Sequence, residues 1–268
     1  MFESSLVIVF LQTDRLCDLY RTCHKMTEVE NKSLFTYHLI KVSFLSALKC
    51  VLFPIKSSKI NGLIHAETMS AMMLGSSIFA PTRLFSRTIV VFAQWNNEDA
   101  LNKFLRTDSF GNQLSKSWYL KLRFIRQWGS ISHYDIPKSE IVIQNEFQPI
   151  VAVTLARMKY TEIPRFLRWG KPVEKLVRDH SGTAMSLASI RYPNLISTFS
   201  VWKSQKEMSD MVYGHSKMPQ AKRHFDAMKE RNRKDFHFEF TTLRFLPVSE
   251  HGTWNGKSNY LPNVKTDL

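Results

Sequence analysis

Eight short runs rich in β-branched and aromatic residues are separated by stretches in which apolar residues recur three and four positions apart. This pattern predicts strands alternating with helices. The first set opens with the strand Tyr37-His38-Leu39-Ile40-Lys41-Val42 and continues into an apolar helix through Leu45, Leu48 and Leu52. Gly62 leads into a strand near Leu63 to Met73, and Leu74-Gly75-Ser76-Ser77 turns towards the strand Thr88 to Trp95. Asn96, with Glu98 and Asp99 behind it, is the expected N-cap of a helix carrying Leu101, Phe104 and Leu105. The strand Tyr119 to Trp128 closes the set.

The second set repeats the order. The strand Ile150 to Arg157 precedes a helix expected from Thr161, with Phe166, Leu167, Val173, Leu176 and Val177 as its apolar positions. Gly182 leads into a strand from Thr183 to Ile190, and Tyr192-Pro193-Asn194 turns into Leu195 to Trp202. Lys203-Ser204-Gln205 starts a helix, Gly214 interrupts it, and Pro219 suits the first turn of a second helix. Phe236 to Leu246 is the last strand. The runs ending in Trp95 and Trp202 are each followed by a capped amphipathic helix, and each set closes on a basic-aromatic strand, Leu122-Arg123-Phe124 or Leu243-Arg244-Phe245.

These observations predict an α+β protein made of tandem ferredoxin-like βαββαβ units whose sheets pack as a pseudo-symmetric α/β barrel. The expected divisions are a poorly ordered N-terminal extension over 1–33, a first unit over 34–137 and a linker over 138–148. A second unit follows over 149–250 and a C-terminal tail over 251–268. The stretch before Met26 fits an extension or an upstream start.

Composition narrows the function classes. The 268 residues are 44% hydrophobic and 22% charged, as in globular proteins. Cys17, Cys23 and Cys50 form no CxxC pair, which argues for a reducing compartment and against a cysteine-built metal site. The net charge of +14 lacks the basic-aromatic interleaving of a nucleic-acid surface, so nucleic acid is not an expected partner. No apolar run reaches the roughly 20 residues of a membrane-crossing helix. A cytoplasmic location is expected, with peripheral contact to an anionic membrane as the further use of the basic surface. P-loop, GxGxxG, HExxH and GxSxG patterns are all missing.

Several segments, taken in order, resemble the spheroidene monooxygenase family. Ala152-Val153-Thr154-Leu155-Ala156-Arg157-Met158 is similar to that family's second-half opening strand, and Arg165-Phe166-Leu167-Arg168 to the following helix. Thr198-Phe199-Ser200-Val201-Trp202 resembles its Phe-Ser-x-Trp strand end. Leu243-Arg244-Phe245 and His251-Gly252-Thr253-Trp254-Asn255-Gly256 resemble its closing strand and Gly-Trp-Gly tail. The likeness covers roughly residues 36–262. It implies a dimeric-α/β-barrel-type fold and a haem-dependent monooxygenase, a ketolase or hydroxylase of an acyclic carotenoid. A hydrophobic small-molecule substrate and an external electron donor go with it. The alternative is a non-catalytic α/β barrel that binds a hydrophobic ligand or mediates protein association.

His224 carries most weight as a site residue. On a helix starting near Pro219, Ala221, Phe225 and Met228 fall on one face and His224 on its flank, where a neutral imidazole could ligate haem iron. A packing histidine hydrogen-bonded to a neighbour is the ordinary alternative. His215, beside Gly214, is the second candidate ligand, and His237 faces inward or outward according to register. Arg157 and Arg244 lie within strands, where an inward guanidinium needs a partner such as a haem propionate or another carboxylate. Trp95 and Trp202 are candidate substrate platforms, although core packing is the commoner use of such residues.

Overall fold

The computed structural model describes residues 33–75, 87–132, 134, 136, 145–261 and, for the backbone, 265–267. The expected N-terminal extension, all but Ser33, and most of the expected linker lie outside the described residues. Strands β1 (Leu34–Lys41), β2 (Leu63–Met72), β3 (Thr88–Trp95) and β4 (Trp118–Ser130) form the first half. Strands β5 (Ile150–Met158), β6 (Thr183–Arg191), β7 (Leu195–Trp202) and β8 (His237–His251) form the second. A short β9 (Lys265–Asp267) runs parallel to the end of β8.

Strand order is β4-β1-β3-β2 in the first half and β6-β7-β5-β8 in the second. β2 pairs with β6 and β4 with β8, which closes an eight-stranded antiparallel barrel. Alternating side chains of both halves point inward, and the interior is filled. Phe35, Tyr37, Phe92, Phe124, Phe199 and Phe245 are all fully buried there. Tyr37 from the first half stacks on Phe199 from the second at 3.8 Å between ring centroids.

One barrel end is sealed by the residues after β8. Glu250, fully buried, accepts hydrogen bonds from Trp118 Nε1 at 2.8 Å and from the backbone N–H groups of Tyr260 and Leu261 at 3.1 and 3.2 Å. The other end carries ion pairs. Arg157 Nε bonds Glu239 at 2.8 Å, and Arg191 Nη1 lies 2.7 Å from Glu67, whose other oxygen faces His65 Nε2 at 3.2 Å.

The helices lie outside the barrel: α1 (Phe44–Leu52), α2 (Glu98–Thr107) and α3 (Ser109–Ser115) in the first half. The second half carries α4 (Ile163–Asp179), α5 (Gln205–Tyr213) and α6 (Arg223–Arg233). Several starts differ from those expected. Asn97, not Asn96, caps α2, because its side chain reaches the N–H of Ala100. Asp108 then breaks the helix and caps α3 through the N–H groups of Phe110 and Gly111. α4 begins after a single 3-10 turn at Tyr160–Glu162. Ser204 caps α5, and Gly214 ends it with φ at +76°, where an L side chain would be strained. α6 starts at Arg223 and not near Pro219.

Candidate functional site

The two halves cover the outer face of the barrel differently. In the first half one continuous core joins helices to sheet, with Leu101, Phe104, Leu105 and Leu114 buried against Ile89, Val91, Ala93 and Trp95. In the second half that core is split. One part gathers Ile125, Ile150, Leu176, Trp202, Met208 and Met211, and the other gathers Ala156, Met158, Phe236, Phe166 and Trp169. Between them the outward positions of β5, β7 and β8 are Thr154, Thr198, Thr242 and Arg244, all only partly covered. Thr154 and Thr242 share a hydrogen bond at 3.2 Å. Of the 17 residues of α4 only Leu176 is fully buried, and Ile163, Phe166 and Trp169 pack on the second part-core half-covered.

α6 links the two part-cores. Near its start His224 Nδ1 bonds the carbonyl of Val212 at 3.1 Å, in α5 beside the first part-core. Towards its end the Arg231 guanidinium lies 3.8 Å from the centre of the Phe240 ring, in the second part-core. The half-buried residues of α6 are therefore His224, Ala227, Met228, Glu230 and Arg231, which share one side of the helix. This corrects the expected face, because Phe225 is 54% exposed. The helix starts four residues after Pro219, and the bonds from Arg165 to Glu230 and from His224 to Val212 set its rotation.

Because a carbonyl can only accept, the contact with Val212 requires the proton on Nδ1 and leaves the Nε2 lone pair available. Burial lowers the His224 pKa, the Val212 carbonyl offsetting only part of this, so the ring is neutral at physiological pH. A neutral imidazole fixed by a carbonyl on its other nitrogen is the form in which histidine binds metals.

Arg244 lies on the same outer face, in register with Arg126 across the β4–β8 seam. The two guanidinium carbons lie 4.3 and 4.4 Å from the centre of the Trp128 ring. Like charges directly opposite each other are unfavourable, and no ion pair with a carboxylate offsets them among the described residues. Arg244 Nε is buried without a hydrogen-bond partner. Burial, helped by Arg126, lowers its pKa, while Tyr213 at the end of α5 acts the other way. His224 and Arg244 thus both neighbour the C-terminal end of α5, through Val212 and Tyr213.

The other expected site residues are placed elsewhere. Arg157 has the inward parity of Val153 and Leu155 and is already paired with Glu239 at the barrel mouth, on the opposite face of the sheet from Arg244. His215 is exposed, 6.2 Å from the Tyr213 ring. Trp95 and Trp202 are buried in the helix–sheet cores, and their indole N–H groups bond Thr36 at 3.0 Å and Ser200 at 2.9 Å. Neither offers a ring face to a ligand. His237 turns outward beneath α4, with Nδ1 2.8 Å from Asp235 and Nε2 enclosed without a partner among Phe166, Phe236 and Phe240. Trp128 and Arg126 were missed in the sequence, where their only signal was a strand carrying Lys121, Arg123 and Arg126 among aromatic and apolar residues. Among the described residues no group of three His, Cys, Asp or Glu side chains could hold a metal ion.

No protein-family model and no curated protein matches the chain. Solved structures do. An aldoxime dehydratase in complex with butyraldoxime is 8% identical over 81% of this chain and 80% of its own, with a TM-score of 0.50. A ferredoxin-fold protein from Listeria monocytogenes, related to antibiotic biosynthesis monooxygenases, is 12% identical over 81% of this chain and 96% of its own, with a TM-score of 0.28. A monooxygenase-like protein from Listeria innocua is 13% identical over 81% and 95%, with a TM-score of 0.26. At 8% identity the likeness to the aldoxime dehydratase is one of fold alone.

Proposed function

We propose that this chain is a haem-dependent monooxygenase of a hydrophobic, carotenoid-like substrate, built from two ferredoxin-like units in pseudo-symmetric array. The carrying observation is His224. It is neutral, it has its proton fixed on Nδ1 by Val212, and it lies on the inner side of a helix that links the two part-cores of the second half. The residues present fit the group. His224 would hold the iron through Nε2, and the unpaired Arg244 beside Trp128 would meet a propionate. Haem, when bound, supplies the activation of oxygen.

The chain's own part is binding and shielding. Thr154, Thr198 and Thr242 give a stretch of small side chains on the outer face of the sheet, against which a flat group would lie. The barrel interior is filled, so an elongated apolar substrate has to lie outside it. Electrons come from an external donor, because the sequence carries no recognisable flavin or iron–sulfur motif.

The test is a spectrum. Protein reconstituted with haem is expected to show a Soret band that His224→Ala loses or shifts while the far-ultraviolet circular dichroism is kept. His215→Ala, on an exposed loop, should leave it unchanged. A chain that takes up no stoichiometric haem refutes the reading and leaves a barrel that binds a hydrophobic ligand. A band that survives loss of His224 and vanishes with His237 would move the centre beneath α4.

A further inference from the structure

α1 is an amphipathic helix with two apolar faces. Ala47, Cys50 and Val51 pack towards the sheet. On the other side Phe44, Leu45, Leu48 and Leu52 share one stripe, 52%, 75%, 47% and 61% exposed, and Phe53 just beyond the helix is 74% exposed. Five large apolar side chains side by side make a continuous patch of the sort that marks an interaction surface and not the scattered exposure common on any protein.

Its border is cationic. Lys49 lies one turn from both Leu45 and Phe53, and Lys56 and Lys59 follow in the next ten residues. All three are exposed, and none makes an ion pair among the described residues. They also line a cavity of about 450 Å³ between α1, the segment 53–60 and α3, whose apolar wall is built by Leu52, Phe53, Ile55, Ile60, Phe104 and Phe110. The one carboxylate at this cavity, Asp108, is occupied as the cap of α3. Leu52 and Phe53 belong to both the stripe and the cavity wall, so surface and cavity are one continuous apolar feature with lysines at its rim.

We propose that this face docks on an anionic lipid surface, with α1 lying in the interface and the cavity behind it receiving part of an acyl chain. The charge decides the occupant. Three unpaired lysines around exposed leucine and phenylalanine match the phosphate level above an acyl layer, as in helices that lie at a membrane interface. A second copy of this chain would bring the same lysines against themselves. No helix of the described residues is long and apolar enough to cross a membrane, so the contact is one of lying on the surface.

The experiment is co-sedimentation of the full chain with phosphatidylcholine vesicles, with and without phosphatidylserine. The wild type is expected to sediment with the serine-containing vesicles and far less with the others. Leu45→Asp combined with Leu48→Asp should weaken partitioning by about a hundredfold or more, from the two apolar side chains withdrawn. Lys49→Glu with Lys56→Glu and Lys59→Glu should abolish the preference for phosphatidylserine. These lysines are exposed, so this variant decides the matter even if the leucine variant does not fold. Absence of vesicle binding by the wild type overturns the proposal, as does binding that the leucine and lysine variants leave unchanged, which would assign the contact to another face. A wild-type dimer in sedimentation equilibrium that the leucine variant dissociates also overturns it, because a second copy would then own the surface.

Discussion

His38 should make the fold acid-sensitive in a defined window. It lies on β1 with 1% of its surface exposed, stacked 4.6 Å from Tyr119, which stacks 4.3 Å from His251. Burial, helped by the neighbouring His251, lowers its pKa to about 3, and the nearby Leu114 carbonyl offsets only part of this. In the unfolded chain it titrates near 6.5. Between those values the unfolded chain holds a proton that the folded chain does not, so acidification favours unfolding. Above about pH 6.5 the group has no effect, and each unit below costs about 1.4 kcal/mol until the folded pKa is reached. From pH 7 to pH 5 the loss is about 2 kcal/mol. Urea unfolding at pH 7, 6 and 5 measures it. His38→Leu should remove about 2 kcal/mol from the difference between pH 7 and 5, whatever it does to stability at pH 7. Burial also lowers the pKa values of His180, His224 and His237, so part of the slope should remain. Parallel profiles for wild type and variant would refute the reasoning.

Two further perturbations probe the frame around the sites. Glu250→Gln replaces an acceptor facing three donors by a group that must turn an N–H₂ towards at least one of them. The expected loss is about 2–3 kcal/mol, a fall in Tm of roughly 5–10 °C in calorimetry, and an unchanged Tm would refute the clamp. Gly111→Ala places a methyl 2.2 Å from the carbonyl oxygen of Phe104 and should cost about 1–3 kcal/mol in urea unfolding, whereas stability equal to wild type would mean that α3 can move away freely.

The strand pattern was legible because it depends on local chemistry. β-branched and aromatic runs, glycine turns and the repeated run into Trp95 and Trp202 place the barrel strands within three residues of their observed ends, except that β8 runs five residues past the expected Leu246. The helix starts were less so. Asn96 and Asn97 are equally good caps by residue type, and only the backbone geometry chooses Asn97. The rotation of α6 could not be read from its own sequence. Phe225 is the most apolar residue on that helix, yet it faces solvent, because the rotation is set by bonds to Val212 and Arg165 on other elements. Arg157 and Arg244 look alike in sequence, each within a strand. Register alone puts one at the barrel mouth with Glu239 and the other outside over Trp128. The partial covering of Thr154, Thr198 and Thr242 depends on how α4, α5 and α6 are placed together, and no single residue announces it.

The two seams that join the halves are unequal. β4 and β8 are in register over eleven residue pairs, whereas β2 and β6 meet over three, Ser70 to Met72 against Ile190 to Ala188. The barrel therefore has a long fastened side and a short one, and transient opening costs least at the short side. Those amide hydrogens of Ser70–Met72 and Ala188–Ile190 that point across this seam would exchange with solvent through a parting of the halves that leaves β4 and β8 zipped together. The chain would then breathe as a clasp does, opening on one side while the other serves as its hinge.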